Sequence, residues 1–198
     1  MTEASKSPPQ WDYALRVYAH PGVSEACLEL QARCGVDVVV MLHAMYAFDV
    51  LGIRLDAAAL EAADASVRAW RKQVTQPLRS LRTFLKVGFE GMSQSDVENV
   101  RREIKAAELA SESVAFSVLS VFSHGIAADR HDSAQAEKLL SDLVGVYCRF
   151  AENSGSAGSP VCHAIQTLRQ VLGTPVSAEP RPNEPEVNRP ARVAGCQT

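Results

Sequence analysis

The sequence predicts an all-α protein: a single-domain helical bundle of about seven to eight helices with a central apolar helix and a disordered C-terminal tail. Three observations carry that expectation. Apolar residues recur at spacings of three and four from end to end, while β-branched alternation between Gly or Pro turns is nearly absent. Capping residues (Asp, Ser, Gly) stand where those periodic runs start and stop. With 198 residues, 46 % hydrophobic and 22 % charged, the chain is long enough to bury a core without disulfide or metal staples.

Residues 1–10 are polar and are expected to be disordered, with the bundle domain over 11–152. Trp11, Ala14, Leu15 and Tyr18 fall on one face of a short first helix, read as its buried face. A second helix is expected from Val23 to Arg33, with Gly35 as its C-terminal cap. Asp37 then heads the most apolar run, Val38 to Phe48, which its length and flanks make a helix enclosed by others. Asp56 can cap a fourth helix to Val74, whose alanines allow close approach of a neighbour. Pro77 suits the first turn of a fifth, where its missing N–H costs nothing, with Leu78, Leu81 and Leu85 inward. Ser95 and Glu98 read as a capping box for a long sixth helix, whose seam runs Val97, Val100, Ile104, Ala107, Ser111, Val114, Val118, Val121. A seventh buries Ala136, Leu139, Leu140, Leu143 and Val146. Residues 153–160 form a flexible connector, 161–172 a C-terminal amphipathic helix, and 173–198 a proline-rich tail too poor in apolar surface to offset its ordering entropy.

Several chemistries lose their sequence support. The five cysteines are odd in number and include no C-x-x-C pair, so structural zinc and thioredoxin-type redox sites have no signature, and free thiols of a reducing cytoplasm are expected. No signal-peptide core or membrane-length apolar run is seen, and export or a membrane location is not expected. There is no Glu-x-x-His, His-Glu-x-x-His, phosphate loop, dinucleotide loop or G-x-S-x-G elbow. No metal site and no cofactor are expected.

The charge pattern is more informative. Residues 1–67 carry four basic and nine acidic groups, residues 68–105 nine basic and four acidic, and residues 106–198 seven and ten. The net charge is −3, against a surface built for nucleic acid, and few aromatics interleave the basic stretch. That stretch places Arg71 on the fourth helix, Arg79, Arg82 and Lys86 along one face of the fifth, and Lys105 beside Glu108 and Glu112 on the sixth. Such a strip can receive an acidic protein or a phosphate-bearing small molecule, or it can be a solvated face answered by the acidic remainder of the chain. Arg71, Arg79, Arg82, Lys86, Lys105 and Glu108 are therefore the candidate binding residues of a non-catalytic binding or accessory protein. The alternative is a helical enzyme or small-molecule sensor with a pocket around His43, Tyr46 and Asp49. A histidine within an apolar run must pair a ring nitrogen, and a core hydrogen bond serves as well as a ligand. Pairing of the long helix between chains leaves a homo-oligomer open.

Trp11, Tyr13-Ala14-Leu15, Tyr18, Pro21-Gly22-Val23, Cys27-Leu28, Leu30-Gln31, Gly35-Val36-Asp37-Val38, Trp70, Pro77-Leu78-Arg79, Leu81-Arg82, Ile104-Lys105 and Ala107-Glu108-Leu109 make up a pattern over roughly residues 11–120. In these the chain resembles an uncharacterised family of small bacterial all-helical proteins. The resemblance implies a cytosolic protein of proteobacterial type and brings no activity, cofactor or partner. The chain from about Ser120 onward lies outside it.

Overall fold

The computed structural model of the chain describes residues 8–123, 133–148 and 159–172. They form α1 (Pro9–Tyr18), α2 (Val23–Cys34), α3 (Val38–Asp49), α4 (Ala57–Trp70), α5 (Gln76–Phe84), α6 (Gln94–Leu119), α7 (Ser133–Cys148) and α8 (Ser159–Val171). No strand occurs among the described residues, so the all-α expectation holds. Also among the described residues, no helix is long and apolar enough to cross a membrane. Residues 1–7, most of the expected connector and the whole proline-rich tail lie outside the described residues. Pro9 and Gln10, expected to be disordered, instead open α1, where proline's fixed φ is already helical, and Gln10 is buried.

The centre is α3. Asp37 accepts a hydrogen bond from the Val40 N–H at 2.8 Å, and every residue from Val40 to Phe48 is buried. α1, α4, α6 and α7 all touch it. Gly35 closes α2 with a left-handed φ of 68°, which a side chain would resist. α8 lies along α2, and α7 fills the space between α8 and α4. α7 buries Ala136, Leu139, Leu140, Leu143 and Val146 as its periodicity predicts. Ala63 of α4 is fully buried against Val40, Val67, Ala115 and Leu119, where small side chains let α3, α4 and α6 approach.

Several local expectations are corrected. In α1 the buried face is Gln10, Tyr13, Ala14 and Val17, while Leu15 and Tyr18 are exposed. The helix carries two apolar stripes, and hydrophobicity alone does not say which meets the core. Second, no break separates the fourth and fifth helices. Residues Arg71–Thr75 form a π-helical turn in which the Gln76 N–H reaches back to the Arg71 carbonyl. Pro77 offers no N–H to the Gln73 carbonyl and its ring crowds that oxygen; widening the turn absorbs both problems. Third, α5 has no fully buried residue, and Leu81 is exposed. α5 packs mainly against α6, which shields it on one side only. Fourth, the expected seam of α6 is buried only in part: Val97 and Ser111 are buried together with Glu108, Ala115, Phe116 and Leu119, while Val100, Val114, Val118 and, just beyond the helix, Val121 are exposed. The face toward α4 and α5 is polar in part because its partners there are arginines and hydroxyls. At its start, Ser93 is the N-cap without a side-chain cap bond, and Glu98 pairs with Arg101 at 2.7 Å instead of closing a capping box.

Candidate functional site

The second apolar stripe of α1 forms one wall of a cleft of about 470 Å³. Trp11, Leu15 and Tyr18 face Leu28 of α2, Leu42 of α3, and Leu109 and Phe116 of α6 across it. The ring of Trp11 meets Phe116 edge-on at 6.2 Å, which fixes the floor. Leu15 is 57 % and Leu28 63 % exposed, so large apolar surface borders an opening instead of lying under it. The Tyr18 hydroxyl meets the Cys27 thiol, which burial pushes up to about 11, so that sulfur is neutral.

The opposite wall is charged. Arg79 donates from Nε to Glu108 at 2.8 Å and from Nη2 to Glu112 at 2.6 Å. Arg82 donates from Nε to the other Glu108 oxygen at 2.5 Å. Burial alone would raise the Glu108 carboxyl, but the hydrogen bonds from Arg82 and Arg79 outweigh it and hold it below the ordinary Glu value. At Glu112 the balance is reversed: burial pushes its carboxyl up, Glu108 adds to the push, and Arg79 opposes only part of it. Both Arg79 and Glu112 also line a smaller cavity of about 60 Å³ on the far side, next to Asp37, Arg71, Thr75 and Gln76.

Behind the cleft a second network fixes its walls. Arg71 Nη1 donates to Asp37 at 2.8 Å and to Asp64 at 2.7 Å, and the Tyr147 hydroxyl donates to Asp64 at 2.7 Å. Burial would raise the Asp64 carboxyl, but hydrogen bonds from Arg71, Tyr147 and Arg68 hold it down. Asp37 thus caps α3 with one oxygen and anchors the π-turn with the other. Trp70 Nε1 donates to the Ser111 carbonyl at 2.9 Å, and the Ser111 and Thr75 hydroxyls lie 3.0 Å apart, tying the same turn to α6.

The structure therefore brings Arg79, Arg82 and Glu108 together and adds Glu112, which the sequence showed only as part of a polar stripe. The two arginines are answered by glutamates of α6, not presented as free cations. Arg71 is engaged by Asp37 and Asp64, with its side chain 21 % exposed, and borders only the smaller cavity. Lys86 and Lys105 are exposed, and neither lines the cleft. Two aromatics in the basic stretch, Trp70 and Phe84, are more exposed than their pattern suggests. His43 and Tyr46 are core residues, Asp49 accepts a hydrogen bond from Tyr13 at 2.5 Å, and none of the three lines the cleft. Leu15, Tyr18, Leu28 and Leu109 are the site residues that the sequence did not yield; two overlapping stripes on α1 were the available signal.

Among the described residues that line the cleft there is no serine, cysteine or histidine, the usual nucleophiles and bases, and its two carboxylates are held by guanidinium groups. Among the described residues no group of three or more His, Cys, Asp or Glu side chains is placed to hold a metal ion. Apolar walls with a few fixed polar groups are the ordinary make-up of a small-ligand site. Residues 9–119, more than half the chain, match the model of a protein family of unknown function, DUF2390, and the chain belongs to that family. No curated protein and no solved structure matches it. Every residue lining the cleft lies within the matched span.

Proposed function

We propose that this chain is a non-catalytic binding protein whose cleft takes an amphipathic anion, a ligand with an apolar body and one anionic group. The apolar body would lie against Trp11, Leu15, Leu28 and Leu42, and the anionic group would take N–H donors of Arg79 and Arg82. One observation carries this reading: two guanidinium groups stand in the wall of a cleft that is otherwise mainly apolar. A guanidinium has five donors in a rigid fork, so each arginine keeps donors beyond those given to glutamate. Carboxylates and phosphates share this recognition chemistry, and the phosphate-bearing ligand expected from the sequence is one form of it. The buried thiols Cys27 and Cys34 support a reducing, cytoplasmic setting. The catalytic alternative around His43 draws no support from the two cavities described above, neither of which His43 lines.

Titration of the full-length protein with decanesulfonate, decyl phosphate, decanoate and decanol, followed through Trp11 fluorescence, tests the reading. The three anions are expected to bind one to one, with decanol at least tenfold weaker, and Arg82→Gln should bring the anions down toward decanol. Equal affinity for decanol, or no binding of any probe, would overturn it. The ranking of sulfonate, phosphate and carboxylate identifies the head group.

A further inference from the structure

We propose that Glu112 holds on Arg79 the place of the ligand's anionic group, and that the ligand enters by exchanging with it, Glu112 taking up one proton as it lets go. The inference rests on the cleft being an amphipathic-anion site.

Arg79 is divided between two carboxylates that are not equivalent. Glu108 is shared with Arg82 and is 6 % exposed, so it stays paired if Arg79 turns away. Glu112 has, among the described residues, only Arg79 as a hydrogen-bond partner, and its side chain is 16 % exposed. It is the carboxylate that an incoming anion can replace at one guanidinium without unpairing a second.

Room and partners exist for the displaced group. Glu112 stands where the cleft adjoins the smaller cavity, which the polar residues Thr75 and Gln76 also line. A neutral carboxylic acid can donate one hydrogen bond and still accept others there; a carboxylate can only accept.

The charges around Glu112 set the direction of proton movement. On its own helix the neighbour is Glu108, and α5 supplies Arg79. Asp37 at the head of α3 adds a negative charge, and Arg71 of the π-turn, already shared by Asp37 and Asp64, borders the same cavity. α1 presents the neutral Tyr18 hydroxyl, and α2 the uncharged Gln31. Once Arg79 turns to the ligand, an ionised Glu112 would face Glu108, Asp37 and the ligand anion with no cation of its own. Burial already favours its neutral form. The proton comes from the buffer acid in solvent, which leaves as its conjugate base; it adds to the carboxylate oxygen, no bond within the protein breaks, and Arg79 keeps an anionic partner throughout.

Calorimetry of the full-length protein with decanesulfonate, an anion that does not titrate near neutrality, tests this between pH 5.5 and 8 in buffers of different ionisation enthalpy. Close to one proton should be taken up per ligand, with affinity weakening by up to tenfold per pH unit as pH rises. Glu112→Gln, which cannot exchange a proton, should bind more tightly than the wild type, with no proton uptake and a flat pH profile. Binding by the wild type without proton uptake, or a Glu112→Gln protein that keeps the slope or binds more weakly, overturns the exchange and leaves the cleft assignment standing. Absence of binding in both proteins overturns the two together.

Discussion

Lowering the pH should weaken this fold through one side chain, His43. Its imidazole is fully buried in α3, and desolvation pushes it down to about 4 from an ordinary value of 6.5. The native state therefore holds a neutral ring where the unfolded chain takes up a proton. A group depressed in this way contributes stability that is complete above about 6.5 and is lost as pH falls toward 4. The gap is about 2.5 pH units, and at ~1.4 kcal/mol per unit the loss is about 3 kcal/mol. Urea unfolding at pH 7.5, 5.5 and 4.5, compared with His43→Leu, isolates this contribution because Glu108 and Glu112 titrate in both proteins. The wild-type midpoint should fall relative to the variant with an unchanged denaturant slope. Parallel pH profiles would refute the reasoning, since they would mean that the ring is protonated equally in folded and unfolded chains.

Glu108→Gln leaves two guanidinium groups facing one carboxylate. A fully buried pair broken in this way costs about 3–5 kcal/mol. Arg79 and Arg82 keep 36 % and 23 % of their side chains in solvent, so about 2–3 kcal/mol is expected in urea unfolding at pH 7 once screening is counted. The Glu108 carboxyl is held down in the fold, so its contribution is present above the ordinary Glu value of 4.5 and lost as pH falls below it. The gap between wild type and Glu108→Gln should accordingly close in acid. Tyr147→Phe removes the hydroxyl from Asp64 while Arg71 and Arg68 remain, and unfolding should show a loss of about 1–1.5 kcal/mol. Leu15→Ser with Leu28→Ser should change stability by no more than about 1 kcal/mol, because both side chains are largely exposed. The same pair should weaken decanesulfonate binding at least tenfold in the fluorescence titration.

Helix starts and stops were legible because they depend on neighbours in the chain. Asp37 before the valine run, Asp56 before the alanines and Gly35 after Cys34 all act where their local chemistry puts them. The interior position of α3 was legible for the same reason, since a run that is apolar on every side leaves no face for solvent. Rotation of a helix about its axis was not. α1 offers Trp11, Leu15 and Tyr18 as readily as Tyr13 and Val17, and the choice between them depends on α3 and α6, which come later in the chain. α6 shows the complementary case: Val97 and Ser111 of its expected seam are buried, but Glu108 joins them there while Val100, Val114 and Val118 face solvent. The arginine–glutamate cluster was half visible. Its members stood out as charges without a local explanation, but Arg79 and Glu108 are 29 positions apart, and no spacing rule links them.

The extra residue in the turn ahead of Pro77 has a geometric consequence for everything after it. A π-turn holds one residue more than an α-turn, so the helix beyond it is set back in phase by about 100°. Arg79 and Arg82 owe their azimuth to that offset. Had the rod wound straight from Ala57 to Phe84, both guanidinium groups would point about a quarter-turn away from the glutamates they now grip. A pyrrolidine ring that does not line the cleft thereby decides which way the charged wall faces.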